Sequence, residues 1–186
     1  MKRIVITLIS SVILTFAVFS AHGTDETIKT YKIGDKGPAG GWIFYDNGSS
    51  TRGWRYLEAA ATDQSEEAVW GGDGAIASKS TAIEIGAGKA NTNKIIKVFG
   101  NGSYAAKLCA DYRGGGKNDW FLPSKNELNL MYTNLKAKGI GGFSDTDYWS
   151  SSEASEPYAW YQSFVDGSKD NNTKTNRLYV RAIRAF

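Results

Sequence analysis

The sequence predicts an α+β domain, on three observations. Twenty-one glycines against three prolines in an aromatic-rich chain describe many tight turns between short elements. Three segments between residues 91 and 135 carry apolar residues at helical spacing. Short runs of aromatic and β-branched residues, bounded by Gly, Asn, Asp and Ser, read as strands on either side of those segments. No parallel β/α repeat is present.

The chain begins with the basic head Met1-Lys2-Arg3, an apolar run from Ile4 to Ser20, and the small residues Ala21 and Gly23 flanking His22. This is the pattern of a removed export signal, so residues 1–23 are expected to be a signal peptide rather than a membrane anchor. Residues 24–30 are expected to be a polar, mobile lead-in, and residues 31–186 a single domain of ordinary size. From Tyr31 the chain predicts a short strand, a Gly/Pro turn over 34–41, a strand from Trp42 to Tyr45 and another from Trp54 to Glu58. The polar, Gly-rich stretch 62–90 reads as a surface insertion or functional loop.

The first helix is predicted over Asn91 to Phe99, with Ile95, Ile96 and Phe99 on one face. The second follows Ser103 as its cap, with Ala105, Leu108, Cys109 and Tyr112 at i, i+3, i+4 and i+7, which makes Cys109 a core thiol. The third starts at a capping box, Ser124 with Glu127, and carries Leu128, Met131, Tyr132 and Leu135 as its apolar stripe before Gly139 ends it. Strands are then expected at Tyr148 to Ser151, Ala159 to Val165 and Leu178 to Ile183, with Asp166-Gly167-Ser168 turning between the last two. Between Ser144 and Asn176, 20 of 33 residues are Ser, Thr, Asn, Asp or Tyr, the composition of a recognition surface as much as of a wet antiparallel sheet.

Scarcity excludes much chemistry. The only histidine is His22, inside the signal, so the exported chain has no imidazole for Ser-His-Asp or Cys-His catalysis or for a His-ligated metal. A lone Cys109 excludes an internal disulfide and any CxxC motif. Net charge is +3 and falls to +1 once Lys2 and Arg3 leave with the signal, which gives no electrostatic basis for nucleic-acid binding. Gly86-Ala87-Gly88 lacks the third glycine of a dinucleotide loop, and no phosphate loop is complete. The carboxylate pairs Asp145/Asp147 and Glu153/Glu156 read as solvated loop charges rather than a glycosidase pair. Asp166, Asp170, Asn171 and Asn172 offer oxygens to a hard cation but match no calcium-loop spacing, so no metal or cofactor is expected.

The most specific signal is a set of motifs in order: Asn118-Asp119-Trp120-Phe121-Leu122-Pro123-Ser124 running into Glu127-Leu128, then Tyr148-Trp149-Ser150-Ser151-Ser152, Ala159-Trp160, Phe164 with Gly167, and Tyr179-Val180-Arg181-Ala182-Ile183-Arg184. Together with Gly37 to Asp46 and Gly53 to Ala60, this resembles the Lcl C-terminal domain family (Legionella collagen-like protein C-terminal domain) over residues 31–186. Phe121 stands where that family usually has Arg. The resemblance implies a C-type-lectin-like fold, related to formylglycine-generating enzymes, with short antiparallel strands, about three helices and long loops. It also implies bacterial surface or exported proteins, with glycan or glycosaminoglycan adhesion in the namesake. A single core-facing cysteine argues against the oxidase branch, and Glu156-Pro157-Tyr158 lacks the Asn of a calcium-dependent sugar motif.

These readings converge on an exported, non-catalytic binding module, periplasmic, outer-surface or secreted, for a glycan or protein ligand. The alternatives are a retroelement-diversified ligand-binding protein, a structural envelope protein, and a formylglycine-generating-type oxidase. Aromatic faces at Tyr158, Trp160 and Tyr161 would stack on the ligand, while Ser155, Asp170, Asn171, Asn172 and Lys174 would supply hydrogen bonds and charge. Alternation along a strand places Trp160 and Tyr161 on opposite faces, so at most one of them should be exposed on the sheet. Trp120, Pro123, Ser124, Glu127, Trp149, Arg181 and Arg184 are expected to be structural. The two arginines are expected to pair with Glu127, Asp119 or a terminal carboxylate.

Overall fold

The computed structural model describes residues 29–71 and 77–186. The expected signal and most of the lead-in lie outside the described residues. Two sheets form an α+β domain. β1 (Trp42–Asp46), β2 (Tyr56–Ala59) and β8 (Ile183–Ala185) make a three-stranded antiparallel sheet in that order. The second sheet runs β3 (Ser65–Ala68), β7 (Leu178–Val180), β4 (Asp147–Glu153), β5 (Tyr158–Ser163), β6 (Lys169–Thr173). All its pairings are antiparallel except β4 with β7.

Three helices pack on these sheets: α1 (Gly88–Phe99), α2 (Ala105–Asp111) and α3 (Lys125–Asn134). The expected capping box is present at α3: Ser124 Oγ accepts the Glu127 N–H, and Glu127 returns a carboxylate oxygen to the Ser124 N–H at 2.7 Å. Gly139, at φ 70°, closes the short turn that follows α3. At α2 the expected cap is absent, because Tyr104 rather than Ser103 occupies the N-cap and makes no side-chain capping bond.

One core lies under α1 and α2 and contains Trp70, Ile95, Cys109, Trp120, Trp149 and Val180. The other lies under α3 and contains Phe44, Leu57, Leu128, Met131, Tyr148, Phe164 and Ile183. Trp120 and Trp149 thus fill the interior, and both satisfy the indole N–H on a backbone carbonyl, Gly114 at 3.1 Å and Ala68 at 2.9 Å.

Three expectations are corrected. Leu178 to Ile183 is not one strand: the chain leaves the second sheet at Val180 and enters the first at Ile183. Arg181 sits at that crossing. Its buried guanidinium pairs with Asp63 and donates to the carbonyls of Ala60, Gly141 and Gly142. Secondly, Asp166-Gly167-Ser168 turns β5 into β6, a strand its sequence KDNNT does not announce. Thirdly, residues 62–90 are no simple surface insertion. They contribute β3, the fully buried Trp70, and the buried Ser78 and Ser80.

Ser150, Ser151 and Ser152 are also wholly buried, and they join three parts of the fold. Ser150 Oγ donates to the Trp160 carbonyl at 2.8 Å, Ser151 N–H donates to the Pro123 carbonyl at 2.7 Å, and Ser152 Oγ donates to the Ala82 carbonyl at 2.8 Å.

Candidate ligand-binding site

The eight residues singled out for ligand contact do not form one surface. In the β5–β6 register Tyr158 faces Thr173, Trp160 faces Asn171, and Tyr161 faces Asp170. Directly opposed residues share a face, so Tyr158, Trp160 and Asn171 lie on one side and Tyr161 and Asp170 on the other. Tyr158, at 41% exposure, is the one large aromatic of the set that is open. Trp160 and Tyr161 are both half-buried, so neither is the exposed partner that alternation allows. Trp160 has the Lys125 ammonium 3.0 Å from its ring centroid, and Tyr161 packs edge-on against Trp149.

Ser155, Asp170 and Asn171 are exposed and Asn172 is half-buried. The side-chain oxygens of Asp170 and Asn172 accept the backbone N–H of the following residue, Asn171 at 2.7 Å and Thr173 at 2.9 Å. The Lys174 N–H crosses to the Pro157 carbonyl of the neighbouring segment. By alternation the N–H groups of Asn171 and Thr173 therefore point outward from the sheet edge, where those two side chains cover them.

Lys174 is a correction. It is fully buried, ion-paired with Glu153, and lies 4.9 Å from the centre of the Trp70 ring. A cation in that position fixes the interior and does not reach a ligand. The same pair removes Glu153 from any surface partnership with the exposed Glu156.

The structure offers a concave site that the sequence reading passed over. A groove of about 550 Å³ opens at the outer end of the three-stranded sheet, lined by Tyr31, Trp54, Tyr56 and Phe186 with Lys29 and Arg55 beside them. Strand pairing builds it. The β2–β8 register continues past the strands, where Phe186 N–H donates to the Tyr56 carbonyl at 3.1 Å and its own carbonyl accepts from Arg55 and Tyr56. That brings the Phe186 ring to 5.6 Å from Tyr56. Tyr31 closes the box, edge-on to Tyr56 at 5.3 Å and to Phe186 at 5.7 Å, with its N–H on the Tyr56 hydroxyl.

The wall carrying Trp54 is held by the turn before it. Gly53 sits at φ 81°, a left-handed conformation that glycine takes without strain, and its N–H bonds Ser50. Arg55 makes a two-point pair with Asp46, 2.8 and 3.0 Å, which holds that carboxyl below its usual range, and lies 4.9 Å from the Tyr56 ring centre. Lys29 stands 5.0 Å from the Tyr31 ring centre. The site therefore offers aromatic faces with two cations at its margin, an arrangement suited to stacking and orienting a ring.

Arg184 takes Asp119 in a two-point pair, 2.8 Å on each side, and also reaches Glu58. Glu58 in turn accepts the Gly41 N–H at 2.8 Å, tying the 37–41 turn to the sheet. Glu127 accepts backbone N–H groups from Ser124 and Gly86 rather than pairing with an arginine, and burial raises its carboxyl above the usual value. Cys109 is wholly buried and burial pushes its thiol well up. Among the described residues no group of three or more His, Cys, Asp or Glu is placed to hold a metal ion, and no helix is long and apolar enough to cross a membrane.

Fold and site together define a small α+β domain with an aromatic groove at the end of a three-stranded sheet. The model of the Lcl C-terminal domain matches residues 59–184, and the chain belongs to that family. No curated protein matches the chain. The residues lining the groove, Lys29 to Tyr56 and Phe186, flank the matched span on both sides, whereas Trp120, Ser124, Glu127, Trp149, Arg181 and Arg184 fall within it.

Proposed function

We propose that this protein is an exported, non-catalytic binding module of the bacterial envelope that recognises a glycan through the groove of Tyr31, Trp54, Tyr56 and Phe186, without metal or cofactor. The observation that carries the reading is the groove itself, a concave site of ligand size with aromatic walls and few polar groups. The C–H faces of a sugar ring are apolar and fit against aromatic faces, while Ser49, Ser50, Lys29 and Arg55 at the margin can meet its hydroxyl oxygens. Family membership supports a surface adhesion role. The burial of Cys109, which keeps its thiol protonated, supports a role without thiol chemistry.

The exposed Tyr158, with Ser155 and Asn171 near it, favours a second reading in which the β5–β6 surface contacts a protein ligand. A printed glycan array separates the two. Wild-type protein is expected to bind one class of glycan, and Trp54→Ala to lose at least tenfold in affinity for it. An array silent for wild type, or a Trp54→Ala variant that binds as well as wild type, overturns the reading.

A further inference from the structure

The chain contains two Asn-Gly pairs, Asn47-Gly48 and Asn101-Gly102, and the fold treats them differently. Asn47 is half-buried and tied at three points. Its N–H donates to the Arg55 carbonyl at 2.8 Å, its side-chain amide donates to the Ser49 carbonyl at 3.2 Å, and its amide oxygen accepts the Tyr45 hydroxyl at 3.4 Å. The Gly48 N–H donates to Asp46 Oδ1 at 2.8 Å, and Arg55 holds that carboxylate in place. Asn101 and Gly102, by contrast, are exposed. Neither the Asn101 side chain nor the Gly102 N–H has a partner among the described residues. The Tyr104 hydroxyl donates to the Gly100 carbonyl at 2.6 Å, so the free pair sits in a closed loop rather than a frayed end.

An asparagine side chain followed by glycine is open to attack by the next backbone nitrogen, because glycine has no Cβ to block the approach. Hydroxide takes the proton from the Gly102 nitrogen, which then bonds to Cγ of Asn101. The bond from Cγ to the side-chain nitrogen breaks, and that nitrogen leaves as ammonia with a proton from water. The five-membered imide takes up one water and opens to aspartate or to its β-linked isomer. No oxidant or reductant takes part. At Gly48 the same proton is held by the Asp46 carboxylate, whose charge opposes a second anion beside it, and the Asn47 amide is turned to Ser49. We infer that Asn101 is a site of spontaneous conversion to aspartate and isoaspartate, and that Asp46 protects Asn47 from the same reaction. The difference bears on the groove. Ser49, Ser50, Gly53 and Trp54 follow Asn47 closely and line it, so an extra backbone methylene at residue 47 would displace that wall. The loop at Asn101 contributes nothing to the groove.

The test is incubation of the full chain in warm, mildly alkaline buffer, followed by proteolysis and mass spectrometry of the peptides carrying each pair. Asn101 is expected to convert roughly tenfold or more faster than Asn47, because attack at Gly48 must first break a charge-assisted hydrogen bond. In denaturing guanidinium, where neither pair is folded, the two rates should agree. Gly102→Ala should slow conversion at Asn101, and Asp46→Ala should raise the Asn47 rate toward that of Asn101. An Asn47 rate in the folded protein equal to or above that of Asn101 overturns the inference, as does an Asn101 that converts only in the denatured chain. A folded Asp46→Ala variant in which Asn47 stays slow overturns the protection assigned to Asp46.

Discussion

Lys174 Nζ is bonded to the Glu153 carboxylate inside the domain, with 0% and 3% of the two side chains exposed. The carboxylate also accepts the Ser78 N–H at 2.9 Å and the Lys79 N–H at 2.7 Å, so this pair pins the segment after residue 77 to the central strand β4. Removing the cation leaves a buried carboxylate short of its main partner. Lys174→Met is expected to cost about 3–5 kcal/mol of stability in urea denaturation, because an uncompensated buried charge is among the most destabilising lesions. Unchanged stability with weakened ligand binding would return Lys174 to the surface role its sequence context suggests.

Asp119 and Arg184 set an acid limit. The hydrogen bonds from Arg184 hold the Asp119 carboxyl below its ordinary value of 3.8, so the folded state binds its proton less readily than the unfolded chain does. The stabilisation is therefore present above about pH 4 and is lost as the pH falls through the lowered folded value. Asp119→Asn should be less stable than wild type at neutral pH and flatter in melting temperature below pH 4. Glu127 slopes the other way, since its raised carboxyl favours the folded state in acid and that contribution is lost as the pH rises. The Asn variant keeps that second slope. Parallel melting curves of the two proteins from pH 2 to 7 would contradict the assignment.

Asp170 and Asn172 guard the edge strand. β6 ends the five-stranded sheet, and the outward N–H groups of Asn171 and Thr173 are taken by these two side chains. An uncovered edge invites pairing with another chain. The double variant Asp170→Ala/Asn172→Ala is expected to self-associate with rising concentration in sedimentation velocity while each wild-type molecule keeps its edge closed. A variant with the same sedimentation profile as wild type would show that the edge needs no such cover.

Cys109 should be inert. It is wholly buried in the core under α1 and α2, and burial favours its protonated thiol. Ellman's reagent is expected to find no thiol in the native protein and one after unfolding. Rapid labelling of the folded protein would reopen thiol-dependent chemistry.

What could be read from the sequence was local. The partners of the box, Ser124 and Glu127, stand three positions apart, and the spacing that buries Cys109 spans one helix, so pattern alone locates both. β6 was illegible because KDNNT has no β-branched alternation and becomes a strand only by pairing with β5. Lys174 looked like a polar loop residue because its partner, Glu153, lies 21 positions away on another strand. The groove was missed for the same reason: Tyr31 and Phe186 meet only because β8 returns beside β2. A signal was present nonetheless. Tyr31, Trp42, Phe44, Tyr45, Trp54 and Tyr56 make residues 31–56 as aromatic as residues 144–176, and only Phe44 and Tyr56 of these are buried.

The central claim is that ligand enters the groove at Trp54 rather than the surface at Trp160, and the six indole N–H resonances report on it directly. Trp70, Trp120 and Trp149 donate to backbone carbonyls in the interior and serve as fixed references. On titration of the protein with the strongest-binding glycan of a printed array, the Trp54 indole signal should move while that of Trp160 stays in place. A Trp160 signal that moves while Trp54 stays fixed would contradict the account.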